Sequence, residues 1–185
     1  MQSNFFDKSR TATIRIPRVF EEFLQSLADA KVRYLLIDGF AVSFHVRPRP
    51  TEDLDVWIEL SEVNADAVVD AFDRFGFKNV DRNAFLVRNK IARAGNKPLR
   101  IEVLTTISGV EFPDCWPRRI EFDYHGIPIK LINRDDLRRN KVASARAKDL
   151  ADVESIDRAK AAEQATANRP AQKKRAARKR PRPKS

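Results

Sequence analysis

The chain has a single cysteine, Cys115, and only two histidines, His45 and His125. One thiol closes no intramolecular disulfide and builds no cysteine-only metal site. With two histidines and no other soft ligand beside them, a zinc centre is not expected. No apolar run approaches the roughly 20 residues that cross a bilayer. The opening stretch MQSNFFDKSRTATIRIPR lacks the unbroken apolar core of a secretion signal. No membrane association is therefore expected, and the lone cysteine fits a reducing, cytoplasmic setting.

Acidic residues are missing from one place in particular. Residues 169–185, RPAQKKRAARKRPRPKS, carry nine Lys or Arg and no Asp or Glu. The formal net charge is +10, so subtracting those nine leaves +1 for residues 1–168. The basicity belongs to the tail, where Lys173, Lys174, Arg175, Arg178, Lys179 and Arg180 are candidates for neutralising nucleic-acid phosphates. Beyond Gln164 large apolar side chains are almost absent, and such a segment cannot repay the entropy of folding.

The 185 residues include 42% apolar ones, with 12 Phe and 2 Trp, enough for one domain with a real core. Apolar periodicity predicts a helix at 17–30 through Phe20, Phe23, Leu24 and Leu27. Tyr34 to Ile37 form a short continuous apolar run, suited to a central strand covered on both faces. A short helix at 40–46 and a proline-punctuated loop at 47–52 follow. Residues 53–59 alternate as a strand, and 62–75 read as a helix ended by Gly76. Further strands are predicted at 85–87 and 99–104, and a hairpin at 119–131 around His125-Gly126. Helices at 134–145 and 147–163 close the domain, the last with Leu150, Val153 and Ile156 as its apolar stripe.

This order argues for an α/β fold, a small mixed β-sheet with helices packed around it. The expected layout is a flexible N-terminus at 1–16, one domain at 17–163 and a disordered basic tail at 164–185.

Asp53 and Asp55, two residues apart on one strand, project from the same face, so their oxygens can converge on one cation. Glu102 on a neighbouring strand is a candidate third carboxylate. Three carboxylates held together need a compensating positive charge, and hard oxygen ligands suit Mg²⁺ or Mn²⁺. Gly39 lies between a buried strand and a helix start, where backbone N–H groups can approach a phosphate. Arg47 and Arg49 lie between that turn and the aspartates. A plain reading stands beside this one: exposed aspartates on an alternating strand commonly only solvate a sheet face.

The segment Leu36-Ile37-Asp38-Gly39-Phe40-Ala41-Val42, then His45, then Arg49-Pro50-Thr51-Glu52-Asp53-Leu54-Asp55, resembles the bacterial nucleotidyltransferase superfamily. The resemblance continues through Ile101 to Thr105 and Ile107 to Phe112. It extends to Leu137, Lys141, Ala143, Arg146, Lys148-Asp149 and Asp152, and so covers roughly residues 30–160. Within the superfamily the chain looks like the small stand-alone proteins related to abortive-infection toxins. The resemblance implies a minimal polymerase-β-like core, Mg²⁺ (or Mn²⁺) and an NTP donor. It implies Asp53, Asp55 and Glu102 as metal ligands, Gly39 at the phosphate turn, and Lys141 and Arg146 as nucleotide contacts. Asp38 departs from the pattern, since it stands where the family's turn has its first small residue. Two functions follow as expectations. One is transfer of a nucleoside monophosphate from an NTP to an RNA or protein acceptor. The other is a catalytically impaired binding module for nucleic acid or a cognate partner protein, which Asp38 favours.

Overall fold

The computed structural model describes residues 15–167. Helices α1 (Arg18–Asp29), α2 (Asp38–His45), α3 (Glu62–Arg74), a short α4 (Phe112–Cys115), α5 (Arg134–Ser144) and α6 (Ala147–Ala167) surround one sheet. Its strands are β1 (Tyr34–Leu36), β2 (Asp53–Ile58), β3 (Ile91–Ala94), β4 (Arg100–Leu104), β5 (Ile120–Tyr124) and β6 (Ile127–Leu131). They lie in the order β3-β4-β2-β1-β6-β5. β1 runs antiparallel to β2 but parallel to β6, and β2 runs parallel to β4, so the sheet is mixed. The chain is thus an α/β domain of the kind that the order of its elements predicts.

The two middle strands explain their own sequences. Tyr34, Leu35 and Leu36 are all buried, because β1 has a strand on either side and helices over its faces. β2 alternates: Leu54, Val56 and Ile58 are fully buried, while Asp53 and Asp55 are only partly so. Over the core, Phe23 of α1 packs against Phe72 at 5.2 Å and Phe75 at 5.1 Å between ring centroids. α5 starts at Asn133, whose side chain accepts from the backbone N–H groups of Asp135 and Asp136. It ends in a left-handed residue, Ala145, and that reversal brings α6 back along α5 and α2.

Three expectations need correction. Residues 85–87 form no strand. Phe85 closes a 3₁₀ turn at Arg82–Phe85, capped by the Asp81 carboxylate, and is buried because it stacks on Phe72. The fourth strand on that side is β3, at the sheet edge. The stripe on α6 is rotated: Leu150 is half exposed, and the buried face is Asp149, Asp152 and Ile156. α6 also continues to Ala167, beyond the end expected at 163. The basic residues Lys173, Lys174, Arg175, Arg178, Lys179 and Arg180 lie outside the described residues, as does most of the expected N-terminal segment. Ile16 is described; it is buried, and its N–H donates to the Tyr124 hydroxyl at 3.1 Å. Among the described residues no helix is long and apolar enough to cross a membrane.

Candidate active site

A cleft of about 400 Å³ opens where β2 and β4 face the start of α2 and the junction of α5 and α6. Its sheet wall carries Asp53, Asp55, Arg100 and Glu102. Parallel pairing sets Asp53 opposite Arg100 and Asp55 opposite Glu102, so the alternation of both strands delivers all four to one face. Its helical wall carries Asp38, Gly39, Asn140, Ser144, Arg146 and Lys148, with Thr106 and Ser108 at one end.

The sheet wall is not a bare trio of acids. Arg100 bridges Asp53 at 3.1 Å and Glu102 at 3.0 Å, and Arg93 of β3 reaches the same Glu102 oxygen at 2.9 Å. Among the described residues Asp55 has no such partner. Burial pushes its carboxyl up to about 7, and the neighbouring charges of Asp38, Glu102 and Asp53 push the same way. Two polar atoms of this wall are buried without a hydrogen-bond partner, Asp53 Oδ1 and Arg100 Nε. An orphaned carboxylate oxygen beside a carboxyl held near neutrality fits a bound cation, which would satisfy the first and return the second to its charged form. Asp53 and Asp55 could hold a divalent metal here, with Glu102 alongside.

The helical wall holds a second cluster. The Lys141 ammonium is buried and bonds to Asp38, to Asp149 at 2.7 Å and to Asp152 at 3.4 Å. Burial alone would push this ammonium down, but Asp38 and Asp149 outweigh it and hold it above its ordinary value. Burial would likewise raise Asp149. Hydrogen bonds from Arg146, Lys141 and Ser144 overcome that and hold its carboxyl well below the usual range. Arg49 closes the cluster with a bidentate pair to Asp152, at 2.7 and 3.2 Å. Among the described residues, Asp38, Asp149 and Asp152 are the three carboxylates whose oxygens all lie within 4.8 Å of one another. They are close enough to hold a divalent ion, but the Lys141 ammonium already stands among them.

Asp53, Asp55, Glu102, Gly39 and Arg146 thus line one cleft. Lys141 lies behind the wall, paired with acids, and Arg49 is turned to Asp152. Arg47 is exposed on the loop and does not line the cleft. Gly39 has a packing reason of its own: a Cβ there would come within 2.4 Å of Thr51 Oγ1. That hydroxyl donates to the Asp53 carbonyl at 3.1 Å, so the close approach ties the α2 turn to the start of β2. Sequence reading missed Arg100 and Arg93. Arg100 was within reach, since it stands two residues before Glu102 on an alternating strand and must share its face.

No family model matches the sequence, and no curated protein does. A crystal structure of an antigenic nucleotidyltransferase-like protein from Paracoccidioides brasiliensis is similar to this chain at 16% identity, over 81% of this chain and 74% of that one, with a TM-score of 0.47.

Proposed function

We propose that the chain is a metal-dependent nucleotidyltransferase, moving a nucleoside monophosphate from an NTP to an RNA or protein acceptor. One observation carries this reading: two parallel strands present Asp53, Asp55 and Glu102 to a cleft whose opposite wall offers Arg146 and Lys148. Acids on one side and exposed cations on the other match a ligand that brings both a divalent metal and a polyphosphate. The resemblance of Arg49-Pro50-Thr51-Glu52-Asp53-Leu54-Asp55 to the superfamily pattern points the same way. A bound Mg²⁺ or Mn²⁺ would supply charge neutralisation at the reacting phosphate and lower the barrier to attack by an acceptor hydroxyl.

The chain's own residues hold and orient. Asp53 and Asp55 would offer oxygens to the metal, and Arg100, on the same face, pairs with Asp53 and Glu102 and orients them. Lys148, about two-thirds exposed, can reach a phosphate tail, and Arg146, equally exposed, lies beside it with its Nε bonded to Asp149 at 2.5 Å. Ser108 in the cleft lining provides a hydroxyl for a sugar or an acceptor. The basic segment after residue 168 would hold an RNA acceptor near the cleft without choosing its sequence.

A test is transfer of label from each α-labelled NTP to cellular RNA or protein in the presence of Mg²⁺ or Mn²⁺. Asp53→Asn and Asp55→Asn should each abolish labelling while the fold survives; turnover retained in both variants rejects the mechanism. Asp38, a carboxylate facing the cleft, favours the second reading, a binding module on the same scaffold. That module would show no metal-dependent stabilisation by any NTP.

A further inference from the structure

The cations of the helical wall already have an anion. Asp38 contacts the buried Lys141, and its two oxygens lie 3.7 Å from Arg146 and 3.8 Å from Lys148. These three cations come from three places, the body of α5, the turn after it and the first turn of α6, and Asp38 is where they converge. Lys141 is fixed by burial and Arg146 is also bonded to Asp149 at 2.5 Å, while both Arg146 and Lys148 are exposed to solvent.

The backbone at this point is also unusual. Asp38 has φ +47°, in the left-handed region that favours glycine, and it opens α2. A carboxylate is thus held at a strained position, inside a cleft that already contains Asp53, Asp55 and Glu102. Asp38 is one of three acids that hold the buried Lys141 ammonium charged, and the most exposed of them. Lys141 keeps Asp149 and Asp152 without it, and glycine would relieve the backbone.

We infer that Asp38 is a resident anion in the polyphosphate subsite, a specificity-determining residue that competes with the ligand for Arg146 and Lys148. This inference rests on reading the cleft as a phosphate-binding site. Metal-free polyphosphate meets a subsite whose cations are already neutralised, and it adds negative charge beside four carboxylates. The site therefore discriminates against free polyphosphate and spares the cleft from cellular anions. A ligand that arrives with its charge screened by a divalent cation is admitted at smaller cost.

Pyrophosphate titrations in the presence of EDTA test this, with binding read by calorimetry and fold by thermal melting. Wild type should bind weakly. Asp38→Gly and Asp38→Asn should bind at least tenfold more tightly, because both tolerate the left-handed backbone and neither carries charge. Adding Arg146→Gln and Lys148→Gln to Asp38→Gly should remove the gain. Unchanged affinity in both folded Asp38 variants overturns the inference, as does failure of every variant to bind pyrophosphate. A gain that survives loss of Arg146 and Lys148 also overturns it, since the competition would then lie elsewhere. The parent reading is scored separately by label transfer. Transfer that depends on Asp55, together with no effect of Asp38 on pyrophosphate, defeats only this inference.

Discussion

Single residues in this cleft trade stability for chemistry. Asp55 holds a proton in the folded, metal-free protein that it has already lost in the unfolded chain. With a folded value of about 7 against an ordinary value near 3.8, the fold is favoured at low pH. Its stability falls as pH rises from about 4 to about 7, then levels off. Asp55→Asn should flatten that slope and make the metal-free protein more stable than wild type at pH 8 but not at pH 4. Chemical denaturation at the two pH values in EDTA checks it. At Gly39 the constraint is steric, and Gly39→Ala forces Thr51 Oγ1 away from a contact of 2.4 Å. Overpacking of this kind costs about 1–3 kcal/mol. Combining it with Thr51→Ala, which removes the hydroxyl, should restore part of the loss in a urea melt.

At the scale of elements, the sequence announced those whose burial is simple. β1 is an unbroken apolar run because it is central, and β2 and β4 alternate because one face of each lines the cleft. Their parallel pairing is what makes Asp55 and Glu102 neighbours, and no residue in either strand states that direction. β3 escaped notice because an edge strand needs little apolar content; Ile91 is exposed and only Ala94 is buried. The reading of α6 failed for a different reason. Periodicity looks for apolar faces, whereas α6 buries Asp149 and Asp152, which Lys141 and Arg49 make tolerable. A buried acid is visible only once its cation is placed. Removing one partner from such a cluster is expensive, so Asp149→Asn should cost about 3 kcal/mol at pH 7. The sign with pH is opposite to that of Asp55. The Asp149 carboxyl is depressed in the fold, so its contribution is complete above the ordinary carboxylate range and fades as pH falls below it. The gap between Asp149→Asn and wild type should therefore narrow in acid.

On the scale of the whole molecule, charge is divided between a near-neutral domain and a strongly basic end. If residues 168–185 hold an RNA acceptor, deleting them should weaken RNA binding and flatten its dependence on salt, with NTP affinity unchanged. Filter binding across a salt series would show this, and an unaltered slope would assign RNA contact to the domain itself. The domain's two carboxylate clusters divide the labour. Asp38, Asp149 and Asp152 surround a lysine, while Asp53 and Asp55 retain an unpartnered oxygen and a carboxyl held near neutrality. The most direct measurement is anomalous diffraction from crystals soaked in Mn²⁺ with a non-hydrolysable NTP analogue. A manganese peak on the Asp53 and Asp55 carboxylates is expected, absent from the Asp55→Asn crystal. A peak among Asp38, Asp149 and Asp152, or none at all, would contradict the assignment of the sheet wall as the metal-binding centre.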